Sequence, residues 1–198
     1  MDAADTGDLM SPEADDRFKK RAAIMIAIMA MLLAITSLGG SNAGQDMINS
    51  NIEASNLYAF YQAKTARQTS YELAANDLEL TLSRDAGLSA EARAAIQKRI
   101  AEYRATMARY DSDSKERDGK KELLERARQA EAARDQASRR GPYFDYAEAL
   151  LQIAIVLASV AIIAHSVPLL LLGGGLGTLG ALLMVNGYTL LMRLPFLE

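Results

Sequence analysis

Charged residues all but vanish at three places along this 198-residue chain, and each silence outlasts the apolar run that a globular core requires. The first runs from Ala22 to Leu38. The second runs from Ala149 to Val167, interrupted only by Gln152, Ser159, His165 and Ser166. The third, Leu169 to Met192, holds nothing more polar than Thr178, Asn186, Tyr188 and Thr189. Crossing ~30 Å of hydrocarbon takes on the order of 20 apolar residues at ~1.5 Å each, so all three are long enough. They predict transmembrane helices over 21–40, 147–167 and 169–192, with Pro168 parting the last two into a tight hairpin.

The pattern changes between the first and second spans. From Leu57, every third or fourth residue gives Tyr61, Lys64, Gln68, Tyr71, Ala75, Leu78 and Leu82, a helical seam at coiled-coil spacing that is wet at Lys64 and Gln68. Asp85-Ala86-Gly87 then supplies a residue able to take a left-handed C′ conformation, and Ser89 can cap the next helix. Ile96, Ile100, Tyr103, Met107 and Tyr110 follow at 4-3-4-3 spacing, laying an apolar stripe back along the first arm. The Asp111-Ser112-Asp113-Ser114 cluster and Gly119 interrupt or kink this return arm. Leu123, Leu124, Ala127 and Ala130 resume it, and Gly141-Pro142 should end it. Fully helical arms over 41–84 and 89–140 would reach ~66 Å and ~78 Å, close enough for a hairpin whose ends return to one membrane surface.

The expected fold is therefore all-α: an integral membrane protein with three transmembrane helices and a long antiparallel helical hairpin between the first and second spans. The domain plan is a disordered acidic tail over 1–20, the span 21–40, an extramembrane hairpin over 41–140 turning near 85–88, the spans 147–167 and 169–192, and a C-terminal tail over 193–198. The acidic tail follows from Asp2, Asp5, Asp8, Glu13, Asp15 and Asp16 among few apolar residues. Arg17, Lys19, Lys20 and Arg21 before the first span also suit a signal peptide, with Ser41-Asn42-Ala43 as a loose cleavage site. The apolar stretch outlasts a typical h-region, which favours an uncleaved anchor. Those four basic residues face Arg139, Arg140 and Arg193 on the other side, so the N-terminus is expected to be cytoplasmic and the hairpin external.

Composition narrows the chemistry. With 50% hydrophobic and 24% charged residues and a net charge of −3, the chain lacks the dominant basic face that nucleic-acid binding needs. It has no cysteine, which removes disulfides and thiolate metal sites, and its one histidine, His165, cannot build a multi-histidine site within one chain. His165 reads as an interfacial residue satisfied by water. Asp111, Asp113, Gly119 and Glu122 fall at positions 1, 3, 9 and 12 of a calcium-loop register, but Lys115 takes the ligand position 5 and Glu116 the obligatory glycine at 6. No Walker loop, nucleophile elbow or metalloprotease helix occurs. No cofactor, metal or catalytic residue is expected, and the spans carry no second ionisable group for a proton relay.

The glycines of the last span are more specific. Gly173 and Gly177 form a GxxxG pair, and Gly173, Gly180 and Gly187 repeat every seven residues, a smooth strip for close helix approach. Its partner is either the second span, through Ala154, Ala158 and Ala161, or another subunit. Asn186 could hydrogen-bond between helices.

The stretch Ala54-Ser55-Asn56-Leu57-Tyr58-Ala59-Phe60-Tyr61-Gln62-Ala63-Lys64-Thr65 resembles the asparagine, aromatic, tyrosine-glutamine-alanine-lysine segment of the domain of unknown function 4337 family, a group of uncharacterised bacterial membrane proteins. Leu57 stands where that family commonly has tryptophan. The layout of one N-terminal span, a helical insert and two C-terminal spans is similar over most of the chain. The resemblance implies a bacterial source and the inner membrane, and it brings no activity, cofactor or catalytic residue. It directs attention to Asn56, Tyr61, Gln62 and Lys64, which with Gln68 are the expected partner or oligomer contacts. The function expected is a non-enzymatic membrane-anchored scaffold or accessory subunit, set in membrane lipid and presenting its hairpin to a partner or to its own copies as a homo-oligomer or part of a larger complex. The alternatives are a component of an oligomeric channel or transporter, or an enzyme with a surface site near Lys64.

Overall fold

The computed structural model describes residues 12–113 and 115–194, so the expected tails lie partly outside the described residues. These residues form four helices and no strand: α1 (Pro12–Arg84), α2 (Ala90–Asp111), α3 (Lys120–Ile163) and α4 (Val167–Thr189). The chain divides into two compact units, residues 48–134 and residues 1–47 with 135–198, and α1 and α3 contribute to both.

In the unit of residues 48–134, α1 presents the expected seam to its neighbours. Leu57 and Ala75 are buried and Tyr61, Lys64, Gln68, Tyr71 and Leu78 are half-buried, while Ile100 of α2 is 7% exposed. Tyr71 stacks obliquely on Tyr103 and Tyr110 at centroid distances of 5.3 and 6.0 Å, fixing α2 antiparallel to α1. Arg104 forms an ion pair with Glu79 at the same interface. Beyond α2, Leu123, Ala127 and Ala130 of α3 close a second cluster with Ala54 and Leu57 of α1.

The turn between α1 and α2 falls where expected but is held differently. No glycine among the described residues has a positive φ, so Gly87 is not a left-handed cap. Asp85 Oδ1 instead accepts from Gly87 N at 3.0 Å, Arg93 donates to the carbonyls of Leu82 and Asp85, and Ser89 Oγ caps α2 by accepting from Ala92 N at 3.1 Å. A polar side chain meets the same free carbonyls that a left-handed residue would satisfy.

In the other unit, the interior is made of small residues and the exterior of large ones. Ala147, Leu151, Ala154, Ala158 and Ala161 of α3 are fully buried at 4-3-4-3 spacing, whereas Ile28, Leu38, Val156, Ile163, Leu171 and Leu182 are exposed. Larger side chains are buried among them where small neighbours make room, Phe144 above all: Gly39, Gly40 and Gly187 accommodate its ring, and Tyr188 meets it edge-on at 4.9 Å while donating from its hydroxyl to Ile35 O. These contacts carry the unit past the charge-free run, so residues 41–47 and 135–140, expected in the hairpin, belong here; Ala43 packs with Phe144 and Met184.

Further expectations are corrected. Helix α1 starts at Pro12, inside the segment 1–20 expected to be disordered. Proline is suited to a first turn, and the acidic residues that follow favour a helix N-terminus; Asp15 also pairs with Lys19 one turn on at 2.6 Å. Gly141-Pro142 does not end a helix, because Pro142 lies within α3. The residue before a proline is pushed out of helix by the clash of the proline Cδ with its backbone N–H and its Cβ, and glycine lacks the second of these. Asn186 does not bridge helices: its side chain donates to Met192 O and accepts from Met192 N, closing the chain after the left-handed Leu190 and stopping α4 short of the expected 192. Helix α3 likewise ends at Ile163 rather than 167, at a turn where His165 adopts φ 47°.

Candidate functional site

The polar positions of the α1 seam resolve into a network around the α2–α3 connection. Lys64 Nζ lies 2.7 Å from Asp118 and 5.4 Å above the Tyr110 ring, and Gln68 donates to Met107 O at 3.4 Å. The seam is wet there because the eight-residue break after α2 offers Lys64 a charged partner and α2 offers Gln68 a backbone carbonyl, not because it is unpacked. The break itself is bound tightly. Lys120 pairs with Asp111 at 3.0 Å, Asp113 Oδ1 accepts from the N–H groups of Lys115 and Glu116, and Glu122 accepts from the Ser112 hydroxyl at 2.5 Å and from Asp113 N at 3.3 Å. Three of the residues of the imperfect calcium register are thus engaged in local bonds, and the described residues hold no group of acidic or histidine side chains able to hold a metal ion.

These bonds make the connection sensitive to acid. The Ser112 hydroxyl, followed by backbone donors, holds the Glu122 carboxyl below its ordinary 4.5, and Lys120 followed by Gln68 holds Asp111 below 3.8. Groups whose pKa is lowered on folding stabilise above their unfolded values, and the contribution is lost as pH falls through the lowered ones. Amide exchange at Asp113 should therefore accelerate relative to mid-α2 as the pH drops below 4.5. In Glu122→Gln the exchange should be faster at neutral pH and lose the acid step; an unchanged acid step would show that Glu122 does not hold the loop.

Of the five expected contact residues, Lys64 and Gln68 turn inward to this network and Tyr61 is half-buried, whereas Asn56 and Gln62 are exposed. Asn56 lies on a second face of α1 that the sequence reading missed. Ile52, Asn56, Ala59, Ala63, Ala66, Ser70, Leu73, Asp77 and Leu80 follow one another at 4-3-4-3 spacing, and every one is exposed. Ile52, Leu73 and Leu80 are 53%, 64% and 43% exposed. The signal was present in the sequence, but the larger side chains of the Leu57 seam hid it. Its centre of alanines and Ser70 allows a facing helix to approach closely, and its only charge is Asp77.

The glycine strip lies against α3 of the same chain. A Cβ on Gly173 would come within 3.0 Å of Ala154 O, one on Gly180 within 3.1 Å of Ala147 O, and one on Gly187 within 3.0 Å of the Phe144 ring; Gly177 faces Met29 and Ala154. Ala154 and Ala158 of the sequence reading are on this contact, Ala161 is fully buried on the same helix, and Ala147, Leu151 and Phe144 complete the contact. His165 Nε2 lies 3.0 Å from Asp15 Oδ1, a partner where water was expected, and Lys19 first and His165 after it hold the Asp15 carboxyl below its ordinary value.

A family model described as "Domain of unknown function (DUF4337)" matches residues 18–190. No curated protein and no solved structure matches the chain.

Proposed function

The chain belongs to the family of that domain of unknown function, and from its geometry we propose a non-enzymatic membrane scaffold that self-associates through the exposed seam of α1. Membrane insertion is supported by the inverted interior. Three helices are long and apolar enough to cross a bilayer, and no more than 28% of any of their most apolar windows is buried within the protein. Large side chains facing outward over a small-residue interior suit lipid, which rewards close helix contact rather than burial from water. The orientation that the flanking basic residues favour, N-terminus in the cytoplasm of a bacterial cell and hairpin outside, is part of the reading.

The observation that carries self-association is the unbroken 4-3-4-3 run of exposed positions from Ile52 to Leu80 on one helix. A second copy suits it better than an unrelated partner. Two copies inserted the same way leave the bilayer in the same chain direction, so their α1 seams run parallel and in register. Asn56 then faces Asn56 across the twofold axis, the polar pairing that selects parallel two-stranded coils. In the same register Gln62 flanks Arg67 of the other copy, and Asp77 meets itself, which weakens the far end of the pair and sets its length.

The lack of cysteine permits a direct test. In native membranes Leu73→Cys should form a disulfide-linked dimer on mild oxidation, while Glu72→Cys, exposed but off the seam, should remain monomeric. Ala63→Glu, which sets like charges opposite each other, should lower the dimer fraction by about tenfold. Equal crosslinking at 72 and 73, or a monomeric mass in mild detergent, would refute the proposal.

A further inference from the structure

An open groove of ≈ 710 Å³ runs between α1 and α4 within the unit of residues 1–47 and 135–198. Arg21 stands at one end; from there the floor follows α1 as far as Leu32 and α4 from Leu170 to Ala181. Eleven helical steps on each side make it ~16 Å long, about half of a ~30 Å hydrocarbon core. The groove thus begins at the charged edge of the first span and ends near mid-bilayer, the depth of one leaflet. Its walls are Met, Leu and Ile side chains, and its width comes from α4: a Cβ on Gly175 would meet nothing, and one on Gly174 only the Met25 sulfur at 3.4 Å.

We infer that this groove is a binding site for one anionic phospholipid, whose acyl chain lies along Gly174 and Gly175 and whose phosphate pairs with Arg21. Three features favour this occupant over a further helix. The groove's lining stops at Leu32 and Ala181, near mid-membrane, instead of running the full span. Its only cationic lining residue sits at the interfacial end, where a headgroup phosphate would be. Arg21 is exposed there, so its guanidinium is open to a headgroup at the interface. A guanidinium at such a mouth recognises phosphate by paired, charge-assisted hydrogen bonds.

The inference rests on the membrane reading, and its test separates the two. Alkaline extraction of membranes asks only whether the chain is embedded. Native mass spectrometry of the full chain in mild detergent, with phosphatidylglycerol and phosphatidylcholine of identical acyl chains as probes, then asks about the site. Wild type should retain phosphatidylglycerol about fivefold better. Arg21→Gln should abolish that preference while acyl-chain retention persists, Lys20→Gln should leave it, and Gly175→Leu, whose side chain enters open groove, should lose both lipids without unfolding. Equal retention of the two lipids by wild type, or an equal loss of preference in Lys20→Gln, would overturn the site. So would dissociation of an oligomer by Gly175→Leu with no lipid released, since the groove would then hold a helix of another copy.

Discussion

Gly180→Leu is expected to destabilise strongly the unit formed by the ends of α1 and α3 with α4. Even a Cβ at this position would stand 3.0 Å from the Leu151 side chain and 3.1 Å from the Ala147 carbonyl. The second of these is the backbone of Ala147, itself fully buried within α3, and cannot rotate away. A leucine must push the two helices apart along a line where Gly173, Gly180 and Gly187 were admitting contact over some four turns. Overpacking of a well-fitted interior costs on the order of 3 kcal/mol when only side chains adjust, and a forced backbone shift adds to that. In lipid there is little hydrophobic penalty for separation, so the lost contact is not recovered by renewed burial. The measurement is thermal unfolding in detergent, with Gly175→Leu as the control. That residue lies on the same helix with open space before it, and its variant should melt close to wild type. Equal melting of both variants would mean that the strip does not carry the α3–α4 contact.

The contrast between positions 175 and 180 shows what was legible in the sequence. Counting glycines found the strip and its period, because a small residue every seven positions on a helix must share one face. It could not say which glycines are needed, since that depends on what stands opposite, and Ala147 and Phe144 lie outside the small-residue motif that drew attention to Ala154, Ala158 and Ala161. The helices of residues 48–134 were legible for the same reason, through the 3.6-residue period of Leu57 to Leu82 and Ile96 to Tyr110. Where reading failed, a local rule had a second solution. Gly87 could have capped α1, but Asp85 and Arg93 satisfy its end instead. Pro142 should have broken α3, but the glycine before it relieves part of the clash. Lys64 and Gln68 looked like gaps in a seam because their partners, Asp118 and Met107, come from 39 or more residues away. The exposed face of α1 was missed for a different cause: a stripe of alanines carries little hydrophobic contrast, and only the burial of the opposite face makes its exposure visible.

The second large effect is expected at Gly119, the last residue before α3. A Cβ there would overlap Asp113 N and Ser112 Cα, both backbone, and crowd the Glu122 carboxylate that holds those same residues. The connection cannot yield on either side. Ser112 ends α2 by donating its N–H to Ala108 O at 3.2 Å, and Leu123 N, in the first turn of α3, donates to the Gly119 carbonyl at 2.9 Å. Gly119→Ala should therefore cost on the order of 2–3 kcal/mol, by the price of overpacking against fixed atoms. The cost should be local in origin but wide in consequence, because Asp118 beside it anchors Lys64 and Leu123 just beyond it packs on Ala54 and Leu57. Hydrogen exchange of the full chain should show the start of α3 and the end of α2 losing protection together. Protection from Gly173 to Gly187 should be unchanged. Serine at position 119 should be as damaging as alanine, since the obstacle is the Cβ itself; a tolerated Gly119→Ser would disprove the close approach of the two backbones.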